Sequence, residues 1–207
     1  MQDVTDRLNN LCFTNKGDDD NEFRKYKLKI CGQIKAELKK KKIEYRHEET
    51  LFGNNSKENI NVLETAFKTK QLEMREGHIS QIAIGNFIGW EDLGVGHSSG
   101  LDCRKLDNSI ILELKNKYNT CNSGSLKSVL DKLAAYKKSH PETMCVLGIV
   151  NPKKNYRELV KTFHHDGEEL VKIQGEKLLE LVFTLNDKNY SKSVVNYVRD
   201  IMFSRET

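Results

Sequence analysis

Two acids and a lysine in this 207-residue chain stand at strand spacing on either side of a short polar turn. Gly100-Leu101-Asp102 opens one short run, and Ser109 to Lys117 reads Ser-Ile-Ile-Leu-Glu-Leu-Lys-Asn-Lys. In an extended strand, residues two apart point to the same face. Ile111, Glu113 and Lys115 therefore share one face, while Ile110, Leu112 and Leu114 share the other, which can pack into a core. The pair Asp107-Asn108 suits a tight turn, so the first run folds back beside the second and Asp102 can approach Glu113. Two converging carboxylates form an oxygen-rich site suited to Mg2+. A cation so held polarises a phosphate and lowers the pKa of bound water. Lys115 can orient that water and offset charge developing in the transition state. The chemistry expected is metal-assisted hydrolysis of a phosphodiester.

Glu-x-Lys alone says little, because a second copy exists at Glu37-Leu38-Lys39. That copy lies in a stretch with Phe23, Tyr26, Ile30, Ile34 and Leu38 at helical steps, where residues two apart diverge around the helix. His164-His165-Asp166 invites a metal reading, yet adjacent histidines on a strand face opposite ways and no third ligand is spaced nearby, which favours a surface or DNA-backbone role. His78 and His97 carry no catalytic pattern, and the single Trp90 suits a core or hinge position. No P-loop, GxGxxG or GxSxG elbow is present, so no nucleotide cofactor is expected.

The elements that must position the site follow from periodicity. Helices are expected over 21–42, 56–72 and 73–88, with loops at the Asp18-Asp19-Asp20 run and at Gly53-Asn54-Asn55. Gly94, Gly96 and Gly100 mark a flexible approach to strands at 101–105 and 109–116. A helix follows Ser123, and Thr143 to Val150 is a continuous apolar run expected of a strand buried on both faces. Helices over 175–184 and 191–204 close the chain. This order predicts an α/β fold, a mixed β-sheet flanked by helices, in a single domain over 1–207. Its N-terminal helical part spans about 1–90 and its catalytic α/β core about 91–207.

Hydrophobic residues at 37% and charged residues at 31% fit a soluble protein that can bury a core. No apolar run approaches the roughly 18 residues that span a bilayer, and the N-terminus lacks a secretory pattern. Five cysteines without a CxxC pair read as free thiols in a reducing cytoplasm. The net charge of +4 is unevenly spread: residues 22–46 hold ten Lys/Arg and three acids, enough to neutralise phosphates.

Asp102, Glu113-Leu114-Lys115 and the helix after them resemble the core of the PD-(D/E)xK nucleases, with Leu101 in place of the usual proline. The run Asn116-Lys117-Tyr118-Asn119-Thr120 is similar to the Lys-Asn-Lys-x-Asn-Thr run of certain type II restriction endonucleases, including some that cut GGNCC-type sites. The similarity covers roughly residues 90–151, with a weaker match in the C-terminal helices. It implies a restriction-endonuclease-like core, Mg2+-dependent cleavage of double-stranded DNA by a homodimer, and catalysis by Asp102, Glu113 and Lys115, the two acids binding the metal. Many members add a carboxylate from the preceding helix; Glu76 is the first choice here, followed by Glu73 and then Glu91.

DNA contacts are expected from Asn116, Lys117, Tyr118, Asn119, Thr120, Asn122, Ser123 and Ser125 after the catalytic strand. Lys153, Lys154, Asn155 and Arg157 after the buried strand form a second group. Two rival functions remain at this level: a repair nickase or junction resolvase of the same fold, and a non-catalytic basic DNA-binding protein.

Overall fold

The computed structural model describes residues 21–40, 57–94, 96–118, 123–155 and 157–203. The chain begins with helix α1 (Asn21–Lys39), whose stripe of Phe23, Tyr26, Ile30 and Ile34 is buried. Helix α2 (Lys57–Gly85) follows as one continuous element, where the periodicity had suggested two. Gln71-Leu72-Glu73-Met74 are all good helix formers, and no Gly or Pro interrupts them. The apolar stripe weakens there because Val62, Leu72 and Met74 are exposed and not packed on the core. The loops expected around residues 18–20 and 53–55 lie outside the described residues.

Six strands form the main sheet: β1 (Trp90–Asp92), β2 (Cys103–Lys105), β3 (Ile110–Lys117), β4 (Met144–Asn151), β5 (Val160–His165) and β6 (Glu168–Gln174). Their order is β1-β2-β3-β4-β6-β5. β1, β2 and β3 run antiparallel, β4 is parallel to β3, β6 is parallel to β4, and β5 returns antiparallel on β6. The sheet is mixed, as expected. Helix α3 (Ser123–Ser139) crosses over between β3 and β4, while helices α4 (Gly175–Val182) and α5 (Ser191–Phe203) end the fold. A small ribbon, β7 (Thr184–Leu185) with β8 (Lys188–Asn189), connects them.

The patterning did not reveal β1 or the β5–β6 hairpin. β1 is only three residues long, and β5 is an edge strand with four of its six residues exposed, so neither carries a clear apolar alternation. The hairpin turns at Asp166-Gly167, both with positive φ (50° and 84°), a two-residue turn of the twist that hairpins favour.

Two apolar clusters hold these layers. The larger joins α1, the C-terminal half of α2, α4 and α5 to one sheet face through Leu112, Val146 and Ile173. Phe23 sits within it, with ring centroids 4.3 Å from Tyr190 and 5.8 Å from Tyr26. Tyr197 in α5 donates its hydroxyl to the Lys27 carbonyl in α1 at 3.2 Å, a bond between residues 170 apart. The smaller cluster packs α3, through Val129 and Leu133, onto the other face at Ile111, Cys145, Leu147 and Ile149. Both faces of β3 are thus covered, including the face on which Ile111 precedes Glu113.

Gly85 shows how tightly α2 meets the sheet. A Cβ there would lie 2.8 Å from Asp92 Cβ, 2.9 Å from Asp92 Cα and 3.0 Å from Cys103 Sγ. Backbone cannot give way as a flexible side-chain tip can, so Gly85→Ala is expected to cost about 1–3 kcal/mol. Urea unfolding checks this, and an unchanged midpoint would contradict the close approach.

Candidate active site

The hairpin β2–β3 brings the three sequence-predicted residues together. The turn forms where expected: Asn108 takes φ 58°, its N–H donates to the Lys105 carbonyl at 2.9 Å, and the Ser109 N–H donates to the Asp107 carboxylate at 2.9 Å. Cys103 then pairs with Leu112, and the Asp102 N–H donates to the Leu112 carbonyl at 3.1 Å. Asp102 Oδ2 in turn accepts the Leu114 N–H at 2.7 Å. The carboxylate is fixed against β3 by the strand that carries the other two residues.

Glu113 is only 5% exposed. Its Oε1 accepts from Lys115 Nζ at 2.6 Å, while its Oε2 is buried without a hydrogen-bond partner. Burial pushes the Asp102 carboxyl up to about 6, and the Glu113 charge pushes in the same direction. The Leu114 N–H and Lys115 pull the other way without cancelling the effect. A buried carboxylate oxygen lacking a donor, beside a second carboxylate resisting ionisation, is an excess of negative charge that a divalent cation would offset. The donor set of two carboxylates fits a hard, oxygen-preferring ion.

The further acids occupy different places. Glu91 pairs with Arg104 at 2.7 Å across β1 and β2. Glu73 pairs with Lys117 at 2.8 Å. Glu76 faces Asn116, whose Nδ2 lies 3.4 Å from Glu76 Oε2. Asn116 falls on the opposite face of β3 from Glu113 and Lys115 by strand alternation, so Glu76 meets the α2 side of the strand. Asp92, absent from the expectations, is one of the charges that raise Asp102. Its Oδ1 accepts from Gln81 Nε2 at 3.1 Å and from the Gly94 N–H at 3.0 Å. The only trace of it in the sequence is its place next to Glu91, on a strand too short to recognise.

The residues expected to meet DNA separate into groups. Asn116 is buried and Lys117 is ion-paired, whereas Tyr118, Ser125, Lys153, Lys154, Asn155 and Arg157 are exposed. Ser123 opens α3, and Asn119, Thr120 and Asn122 lie outside the described residues. The Glu37-Leu38-Lys39 copy of the motif is structural: Glu37 holds Lys40 at 2.5 Å and His78 at 2.9 Å, pinning α1 to α2.

Compared with known families, the chain matches the one described as Eco47II restriction endonuclease across residues 24–197, from the first turn of α1 into α5. The chain belongs to the Eco47II restriction endonuclease family. It is also similar to the type II restriction enzyme Sau96I of Staphylococcus aureus, at 30% identity over 76 residues. That match covers 37% of this chain and 28% of the relative, so the chain spans well under half of the curated protein it resembles.

The family match spans Asp102, Glu113 and Lys115, and it also spans another acidic group. Asp131 of α3 joins His165 and Asp166 of the β5–β6 hairpin, with one ligand atom from each within 4.8 Å of the others. The third member that the His164-His165-Asp166 motif lacked comes from a distant helix, which spacing along the chain cannot show. Asp131 is already engaged, by His165 Nε2 at 2.7 Å and by Lys127 Nζ at 2.9 Å, and these partners hold its carboxyl below the usual range. The group ties α3 to the hairpin through the His165–Asp131 hydrogen bond, beside the Lys127–Asp131 ion pair within α3. Cys31, Cys103 and Cys145 are free thiols, and no helix among the described residues is long and apolar enough to cross a membrane.

Proposed function

We propose that this chain is a type II restriction endonuclease that hydrolyses both strands of a specific duplex DNA sequence in the presence of Mg2+. It would act in the cytoplasm, as a single-domain protomer of a homodimer with one active site per strand. The observation that carries the reading is the convergence of Asp102 and Glu113, with Lys115 on one oxygen of Glu113 and nothing on the other. Family membership supports the same reaction class.

Asp102 and Glu113 would hold the metal, which supplies charge neutralisation at the scissile phosphate and acidifies water. The chain's own residues do the rest. Lys115, steered by its ion pair with Glu113, holds the attacking water in line and donates hydrogen bonds as negative charge grows on phosphate oxygens. The Leu114 N–H fixes Asp102 so that its orientation survives substrate entry. Lys153, Lys154 and Arg157, exposed after β4, together with Tyr118 at the end of β3, would track the DNA backbone and bases beside the site. The outer face of α1, with Arg24, Lys25, Lys29 and Lys39 exposed, adds non-specific attraction.

The test is direct. Purified protein with Mg2+ should convert plasmid DNA into discrete, reproducible fragments, and chelation by EDTA should stop it. Intact plasmid, or nicks only at mismatches or branches, would overturn the proposal.

A further inference from the structure

We propose that Asn116 is a positioning residue of the active site and does not read DNA, an inference that rests on the nuclease reading above. Sequence similarity places Asn116 in a DNA-facing run, but the residue is 9% exposed and its amide is engaged inside the protein. Its Nδ2 donates to the Glu73 carbonyl at 3.2 Å and reaches Glu76 Oε2 at 3.4 Å, both in α2. Its Oδ1 accepts from Asn151 Nδ2 at 2.8 Å, at the end of β4. One amide therefore ties three elements together, immediately after Lys115.

The need for such a tie follows from the sheet. β2 pairs with β3 only as far as Cys103–Leu112. Beyond Leu112 the strand that carries Glu113 and Lys115 is laddered on its β4 side alone, through Glu113–Leu147, Lys115–Ile149 and Lys117–Asn151. On the side that β2 leaves, Asp102 takes the Leu114 N–H. Two residues further on, Asn116 anchors the strand to α2, and the Lys117–Glu73 pair secures the same stretch of that helix. Fixing residues 114 and 116 fixes the backbone of Lys115 between them.

To contact a base edge, the Asn116 amide would have to leave all three partners and emerge from a buried position. Stripping the buried Asn116 amide of its bonds to Glu73, Glu76 and Asn151 is costly. A strand that carries catalytic groups gains instead from the rigidity, because a misplacement of about 1 Å can cost about 100-fold in rate.

The two roles leave opposite kinetic signatures. The single-turnover cleavage rate at saturating duplex, and duplex affinity in Ca2+ under conditions where the parent does not cut, should be measured for Asn116→Ala and Asn151→Ala. The positioning role predicts a rate about 100-fold lower for Asn116→Ala with affinity within about threefold of the parent and sequence preference unaltered. Asn151→Ala, which removes only one exposed partner, should show a smaller loss of the same kind and serves if Asn116→Ala fails to fold. Weakened affinity or relaxed sequence preference at parental rate would overturn the inference, as would a rate equal to the parent's. A parent that leaves DNA intact, or that cuts equally well as Lys115→Ala, sinks the nuclease reading and this inference with it. A cutting, Lys115-dependent parent with a fully active Asn116→Ala variant sinks this inference alone.

Discussion

Replacing Lys115 with alanine is expected to lower the cleavage rate by about a thousandfold while duplex affinity stays within about threefold. The ammonium lies 2.6 Å from Glu113 Oε1 and its charge also acts on Asp102, so on the proposed mechanism it is the cation that would meet the phosphate. Its loss removes the donor that meets developing charge, and it also leaves Glu113 with neither oxygen bonded to Lys115. That second effect makes the folded protein less stable in the absence of metal, because a buried carboxylate loses its counter-charge. Affinity should survive because the exposed cations after β4 and on α1 are untouched. Single-turnover kinetics with binding measured in Ca2+ separates the two quantities. Equal cutting by Lys115→Ala and the parent would dismiss Lys115 from the mechanism.

Asp102→Asn should abolish cleavage, by about a thousandfold or more, yet make the metal-free protein more stable above pH 6. The carboxyl titrates at about 6, raised first by burial and then by the Glu113 charge. An acid whose pKa is raised by folding destabilises the native state in its ionised form. That cost is absent below the ordinary aspartate range near pH 4, grows as pH climbs through about 6, and is complete above it. Asparagine keeps the shape and an oxygen for the Leu114 N–H but carries no charge. The variant should therefore exceed the parent by about 1–3 kcal/mol at pH 8, with the gap closing towards pH 4. Melting curves across that range check the sign, and Mg2+ should raise the parent's melting temperature more than the variant's. A variant less stable than the parent at pH 8 would show that the carboxylate is not strained by its surroundings.

The parts of the fold that were legible share a physical cause. Asp102, Glu113 and Lys115 are local: a four-residue connection over 106–109 and strand alternation suffice to bring them together. The buried strand β4 announced itself because a strand covered on both faces is apolar throughout. The β5–β6 hairpin and β1 escaped notice because an edge strand or a three-residue strand has no such signature. Asn116 looked like a DNA contact because an amide at a strand end suits solvent as well as burial. The contacts that favour burial come from Glu73 and Glu76 of α2, some forty residues earlier in the chain. Asp131 beside His165 is the same case, a partner whose distance along the chain hides it.

The bond from Tyr197 to Lys27 has a consequence during synthesis. Helix α1 ends at Lys39 and α5 begins at Ser191, so α1 is synthesised well before α5, yet α5 covers part of its apolar stripe. Phe23 waits for Tyr190, and Lys27 waits for Tyr197. Until then the nascent chain carries an unsatisfied greasy ridge alongside its most basic stretch. The α1 stripe is sealed only once α5 has been made, so its packing belongs to a chain that reaches through α5 and not to a shorter fragment.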